Sequence, residues 1–320
     1  MEPYLKLLET EIRKFKFGPS PRTLYDPIHY ILGLGGKRMR PLLTLLSYSL
    51  YKSDPEKIIR YAAAVELFHN FTLIHDDIMD QAPLRRGKAT VHEKWNVNTA
   101  ILSGDVLLVK VYEQFLNLDG TKLKETLALL NACASAVCEG QQWDMEFESA
   151  KLVSEVQYLR MIERKTATLL GFSLELGGVL GEAPEADKKI LRELGINLGI
   201  AFQLKDDLLD VYGDKKNFGK RQGGDIISNK KTFLLIHAMR RAKGKMGLEL
   251  RGWLGAKKFD KRKKVTAVTA LYDAVGIRQL TERKIEWYKA KASGNLDKLS
   301  VSERAGELRQ LVEKLSLRQK

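Results

Sequence analysis

Residues 185–212 read EADKKILRELGINLGIAFQLKDDLLDVY. Leu191, Leu194, Leu198, Ala201, Leu204, Leu208 and Val211 recur at steps of three and four, the period of one helical face. Pro184 precedes the stretch and Gly213 follows it, which places both ends. A helix of this length favours a large helical bundle over a compact α/β domain. The same spacing predicts helices near 3–16, 22–33, 39–51, 55–80, 97–118, 122–149, 153–181, 185–212 and 230–242, with several more beyond 258. Proline is scarce (8 of 320 residues) and strand-like alternation is hard to find, while Gly35-Gly36, Pro83, Gly181 and Gly223-Gly224 fall where helices should stop. No internal repeat, low-complexity segment or linker divides the chain. The expectation is an all-α fold, a large helical bundle formed by residues 1–320 as one domain.

Hydrophobic residues make up 44% and charged residues 29%, enough apolar material for a large core and against wholesale disorder. The 54 Lys and Arg exceed the 40 Asp and Glu by 14, which suits anionic substrates, membrane surfaces or nucleic acid without choosing among them. Residues 240–264 are rich in Lys and Arg but lack interleaved aromatics, so they read as a solvated basic face; no nucleic-acid partner is expected. Cys133 and Cys138 have neither metal-site nor redox spacing and build no disulfide framework, so a reducing, cytoplasmic setting is expected. Met1 to Phe17 is studded with charge and lacks a signal-peptide core. No stretch reaches the roughly 20 apolar residues of a spanning helix, so no stable membrane insertion is expected.

The chemistry is concentrated in FTLIHDDIMD, where Asp76, Asp77 and Asp80 fall within an arc of about 100° on a helix. Like charges so close need a cation, and oxygen ligands suit a hard divalent ion such as Mg²⁺. One such cluster also reads as a solvated acidic patch. A second changes the balance: FQLKDDLLD repeats the spacing with Asp206, Asp207 and Asp210, and Gln203 lies on the same arc one turn earlier. Both clusters sit among apolar residues, and carboxylates on neighbouring helices are a known way to build a metal site in a bundle. Carboxylates plus water leave Mg²⁺ open positions, which suits phosphate-bearing substrates.

A diphosphate held by metal on one side needs protein donors on the other. Arg85-Arg86 in PLRRG offer planar paired donors. Gly35-Gly36-Lys37-Arg38-Met39-Arg40-Pro41 places a turn before three cations, without P-loop spacing. Lys37 and Arg40 are expected to share a face as a helix begins. His69, seven before Asp76, falls on the same face two turns away; a packed core histidine and a ligand both fit that position.

Together these residues resemble the trans-isoprenyl diphosphate synthases (polyprenyl synthetases). The match runs in order from GGKRMRP through HNFTLIHDDIMD, PLRRG, GQQWD, ERKTA and FQLKDDLLD to FGKRQGGD and NKKT, roughly residues 30 to 235. The resemblance implies an all-α, usually homodimeric protein with a deep central cavity. It implies Mg²⁺-dependent head-to-tail condensation of isopentenyl diphosphate with an allylic diphosphate. By motif, Asp76, Asp80 and Asp206 look like direct ligands of three Mg²⁺ ions, with Asp77, Asp207 and Asp210 as supporting acids. Arg85, Lys165, Thr166, Gln203, Lys220 and Lys230 resemble the groups around the allylic diphosphate, and Gln141 and Asp144 match a pair lining that side. Lys37, Arg40, His69 and Arg86 resemble the isopentenyl diphosphate site.

In this family bulky residues before the first aspartate motif floor the chain pocket. Phe71, five before Asp76, with Thr72 beside it and Phe68 further back, looks like the geranylgeranyl (C20) arrangement more than the farnesyl (C15) one. The helix wheel turns Phe71 about 140° from Asp76, so it reads either as a flanking floor or as core. A longer-chain synthase is the alternative. A class I terpene cyclase shares the first motif, but its second usually mixes Asn, Ser or Thr with Glu, and it has no need of GGKRMRP. A non-catalytic partner subunit typically loses one aspartate motif, and both are intact here.

Overall fold

The protein, seen as a computed structural model, is described over residues 1–213 and 223–317. It is all-α, as the periodicity requires. In chain order the helices are α1 (Glu2–Lys14), α2 (Arg22–Gly33), α3 (Met39–Ser49), α4 (Ile59–Met79), α5 (Val91–Lys94), α6 (Val97–Phe115) and α7 (Gly120–Ser149). They continue as α8 (Glu155–Ile162), α9 (Thr168–Leu180), α10 (Glu185–Tyr212), α11 (Gly224–Ser228) and α12 (Phe233–Arg241). The last are α13 (Gly244–Gly255), α14 (Lys261–Ala274), α15 (Ile277–Asp297) and α16 (Gly306–Leu317). The single hairpin among the described residues pairs β1 (Leu84–Arg85) with β2 (Lys88–Ala89).

Several expected boundaries move for identifiable reasons. The helix expected over 153–181 is α8 and α9 joined by a π-helical turn, Glu163–Ala167. The helix expected over 230–242 starts only at Phe233, because Thr232 caps it by accepting from the Leu235 N–H; Lys230 therefore lies in the preceding loop. Helix α13 was hidden from the periodicity by four glycines. Lys37 and Arg40 do not share a helix face: α3 begins at Met39, and Lys37 stays in the turn before it.

Two compact units make up the described chain. The first comprises Met1–Ala134, Leu169–Glu193 and Leu296–Arg309; the second comprises Ser135–Thr168, Leu194–Asn295 and Gln310–Lys320. In the first unit α4 packs against α6, α3 and α1. Its stretch Ala62–Phe68 is buried all round, including Leu67 and Phe68 at 0% exposure, so it forms core on every face. Each such Leu or Phe withdrawn from water contributes about 1.5–3 kcal/mol. Helix α9 is equally buried, and Gly177 on it lets the Thr44 backbone of α3 approach, where Thr44 and Ser47 hydroxyls donate to the Ser173 and Leu174 carbonyls. In the second unit Tyr158, Leu204, Phe233, Leu234 and Ile277 centre the core.

Candidate active site

Each unit carries one aspartate triplet at the C-terminal end of a long helix. Asp76 and Asp77 lie in the last turn of α4 and Asp80 is its C-cap; Asp206, Asp207 and Asp210 lie in the last turns of α10. Neither helix has a basic residue in its final turn. The helix dipole places partial negative charge there, so acids at that end are unfavourable and favour a bound cation.

In the first unit Asp77 is buried and Arg85 holds it. Arg85 Nε donates to both carboxylate oxygens at 2.8 and 2.7 Å, and Nη2 reaches Asp77 Oδ1 at 2.6 Å and Asp76 Oδ2 at 3.3 Å. Burial raises the Asp77 carboxyl above its ordinary value, and the Arg85 guanidinium opposes that rise. Asp76 is 24% exposed at its side chain against 1% for Asp77, and Asp80 is exposed. Arg85 is delivered by the hairpin, whose central residues Arg86 and Gly87 both take positive φ (53° and 75°) to make the tight turn. Arg86 then lies over Gly36, where a Cβ would meet its guanidinium at 3.0 Å. The diglycine turn and the hairpin thus meet.

Beside them Arg40 Nη1 lies 3.1 Å from His69 Nε2. Arginine only donates, so Nε2 accepts and the imidazole proton sits on Nδ1. Burial, followed by the fields of Arg40, Arg86, Arg85 and Arg38, holds His69 well below its usual pKa, so it is neutral. The His69 Nδ1–H and Arg40 Nε–H are buried and have no hydrogen-bond acceptor among the described residues. Such donors in a cluster of cations suit an anion. Arg38 is different: its guanidinium donates to Glu9 and Glu66, both at 2.7 Å, and to the Leu32 carbonyl at 3.0 Å, so its charge is spent within the fold.

On α4, Phe71 packs between Phe68 and His75, with ring centroids 5.6 and 4.9 Å away, and His75 lies over Gly104 of α6. The Thr72 hydroxyl donates back to the His69 carbonyl at 2.8 Å. Phe68 is fully buried core, whereas Phe71 and Thr72 are half-buried.

In the second unit Asp207 occupies the place that Asp77 holds in the first. The Tyr158 hydroxyl donates to Oδ2 at 2.5 Å and Gln203 Nε2 to Oδ1 at 2.9 Å; Thr166 Oγ1 in turn donates to Gln203 Oε1 at 3.0 Å. Burial pushes Asp207 up to about 6, against the pull of those donors and of Lys230. Asp210 accepts from the Asp225 N–H at 3.0 Å. Lys165 and Lys230 both approach Asp144, at 2.7 and 3.4 Å. Burial would raise Asp144, but the two ammonium groups outweigh it and hold the carboxyl low. Gln141 is one turn before Asp144 on α7, and its Nε2 is buried without an acceptor among the described residues. Lys220 lies outside the described residues.

The π-helical turn is what presents Lys165 and Thr166. Gly140 of α7 admits the Lys165 backbone and Gly199 of α10 admits that of Ala167; a side chain at either glycine would collide. A π turn holds one residue more than an α turn and is frequent at functional sites.

The donor set fits Mg²⁺. It consists of carboxylate oxygens; among the described residues no three His, Cys, Asp or Glu side chains come together as a metal site by themselves. Ligation through one or two carboxylates, completed by water and substrate phosphate, is how Mg²⁺ is usually held.

Comparison with known proteins gives the family. The Polyprenyl synthetase family model matches residues 21–272. The chain belongs to the polyprenyl synthetase family. It is thus a prenyltransferase. It is 45% identical over 218 residues to a short chain isoprenyl diphosphate synthase of Methanocaldococcus jannaschii, covering 68% of this chain and 66% of that protein. A geranylgeranyl pyrophosphate synthase of Geoglobus acetivorans is 37% identical over 300 residues, covering 93% of this chain and 91% of that one. The crystal structure of geranylgeranyl pyrophosphate synthetase from Pyrococcus horikoshii superposes with a TM-score of 0.90 at 35% identity, covering 99% and 96%. Within this polyprenyl synthetase, sequence reasoning missed Tyr158. A lone tyrosine at helical spacing carries no signal; only its contact with Asp207 reveals it.

Proposed function

We propose that this prenyltransferase condenses isopentenyl diphosphate head-to-tail with allylic diphosphates to make short all-trans isoprenyl diphosphates, leaning to C20. The observation that carries the reading is the pair of aspartate triplets at the negative ends of α4 and α10, each with its second aspartate buried and hydrogen-bonded. Asp76, Asp80 and Asp206 ligate Mg²⁺, with three ions as the expected number, while Asp77, Asp207 and Asp210 hold the motifs in shape. Bound magnesium supplies positive charge to the departing diphosphate.

The chain's own residues do the rest. Arg85, Lys165, Thr166, Gln203, Lys220 and Lys230 bind and orient the allylic diphosphate, and the cations among them stabilise negative charge as the C1–O bond breaks; Gln141 and Asp144 line that side, Asp144 by holding Lys165 and Lys230. Lys37, Arg40, His69 and Arg86 hold isopentenyl diphosphate so that its double bond lies at attack distance from C1. The proton lost from C2 of the isopentenyl unit passes to the departed diphosphate. His69, held neutral, is a hydrogen-bond donor rather than a competing acid. Apolar neighbours of both motifs exclude water, which would quench the allylic cation. Phe71 and Thr72, above buried Phe68, floor the chain pocket and limit product length.

The functional unit is a single domain over 1–320, and a family match spanning both units supports that reading. We infer a homodimer: Leu102 and Val109 on α6 and Leu116 at its C-cap, spaced by seven and 56–64% exposed, form a stripe suited to a helix of a second copy. Two free thiols support a cytoplasmic setting. No described helix is long and apolar enough to cross a membrane.

The purified protein, given Mg²⁺, isopentenyl diphosphate and a C5, C10 or C15 allylic diphosphate, is expected to yield extended products ending mainly at C20. Asp76→Ala and Asp206→Ala should each lower turnover by several orders of magnitude with an unchanged helical spectrum. Near-normal turnover in either variant, or cyclic hydrocarbon from the primer alone, overturns the reading.

A further inference from the structure

Lys264 on α14 is fully buried, the one lysine so placed among the described residues. A buried ammonium is costly unless charge-paired, and among the described residues no carboxylate pairs with it. Its Nζ donates to the Ile227 carbonyl at 3.2 Å and to Asn229 Oδ1 at 2.7 Å, and stands 4.2 Å from the centre of the Phe259 ring. Burial lowers its pKa. Two neutral oxygens and a ring face are a modest return for burying a charge, so the use of the contact lies in what those oxygens belong to.

They belong to the C-terminal end of α11, a five-residue helix tied at both ends. At its start the Gly223 N–H donates to the Asp210 carbonyl at 2.8 Å and the Asp225 N–H to Asp210 Oδ2 at 3.0 Å. Gly223, at φ 81°, is also packed against Val265, the residue after Lys264. At its end Asn229 turns left-handed at φ 58°, its amide Nδ2 donates to the Leu254 carbonyl at 3.0 Å, and Lys230 follows. The Lys230 N–H returns to the Asp225 carbonyl at 2.9 Å, and its Nζ lies 3.4 Å from Asp144. Helix α14 thus grips α11 at both ends, and the grip at the lysine end is the Lys264 ammonium, which offsets the negative end of α11.

We propose that Lys264 is a positioning residue. Its ammonium fixes the Asn229 turn and so aims Lys230 at the allylic diphosphate. This rests on the reading of Lys230 given above, and the test separates the two. Lys264→Met keeps the length of the side chain and removes the donors; relief of the buried charge offsets the demand of the two oxygens left without a donor. The expected result is a melting temperature close to that of the parent, an isopentenyl diphosphate KM within about twofold, and an allylic KM raised about tenfold, the equivalent of one charge-assisted hydrogen bond. Calorimetric affinity for inorganic pyrophosphate with Mg²⁺ should fall by the same factor. Asn229→Ala should reproduce the allylic defect, and the double variant should add little to either single one. Asn229→Ala decides the question alone if the methionine variant does not fold. If Lys230→Met raises the allylic KM while Lys264→Met and Asn229→Ala leave it unchanged, the positioning role is wrong and the Lys230 reading survives. If Lys230→Met itself leaves the allylic KM unchanged, both fall. Equal rises in both substrates' KM overturn the positioning role in favour of a merely structural one.

Discussion

Arg85 and Tyr158 do the same work on different aspartates. Each donates to the second carboxylate of a triplet, Arg85 to Asp77 and Tyr158 to Asp207, and each fixes a side chain that is buried and charged. Tyr158→Phe removes one donor and leaves the ring packing. The unmet demand of Asp207 should cost about 1–3 kcal/mol in urea unfolding. The Mg²⁺ concentration for half-maximal turnover should also rise; an unchanged Mg²⁺ dependence would argue that Tyr158 only packs. His69 makes a prediction in pH. Its folded pKa lies well below the ordinary 6.5, chiefly from burial and then from Arg40. Below pH 6.5 the unfolded chain takes up a proton that the folded chain refuses, so this residue lowers stability as pH falls from 6.5 toward the folded pKa. His69→Gln should flatten the melting temperature between pH 7 and 5 relative to the parent. Parallel curves for the two proteins would contradict this.

At the scale of elements, function is bought against local preference. Two long helices end in acids where the dipole favours bases. Asp206→Asn removes one acid from the end of α10 and should abolish most turnover with an unchanged helical spectrum. Retained turnover in that variant would show that the charge of Asp206 is not needed. The π-helical turn depends on Gly140 and Gly199, which admit its backbone between α7 and α10. Gly199→Val would push against Ala167 and should cost about 1–3 kcal/mol by overpacking. The allylic KM is expected to rise as Lys165 and Thr166 shift; a variant that is destabilised but kinetically normal would separate the turn from substrate binding.

For the whole molecule, two properties follow from surfaces rather than from the aspartates. Phe71 is half-buried between Phe68 and His75, and its removal opens space beside α4. Phe71→Ala should shift products beyond C20 in chromatographic analysis, and an unchanged profile would remove Phe71 as the floor. The stripe of Leu102 and Val109 on α6 and Leu116 at its C-cap should carry self-association. Val109→Lys, which places a charge in that stripe, should convert a dimer to a monomer in sedimentation, with the helical spectrum preserved.

The all-α fold, the helices that carry the acids and most candidate site residues were legible in the sequence, because helical periodicity and short motifs are local signals. The relation of Gln203 to Asp207 was legible for the same reason: four residues on one helix are neighbours wherever that helix lies. What the sequence could not reveal is where a charge is spent. Arg38 and Arg40 stand two apart in one motif, yet Glu9 and Glu66 neutralise the first while the second meets His69. Tyr158 and Lys264 look like an ordinary core aromatic and an ordinary surface lysine until distant helices bring Asp207 and the α11 carbonyls to them. Hydrogen bonds and burial act at contact distance between residues far apart in the chain, so only the tertiary structure decides them.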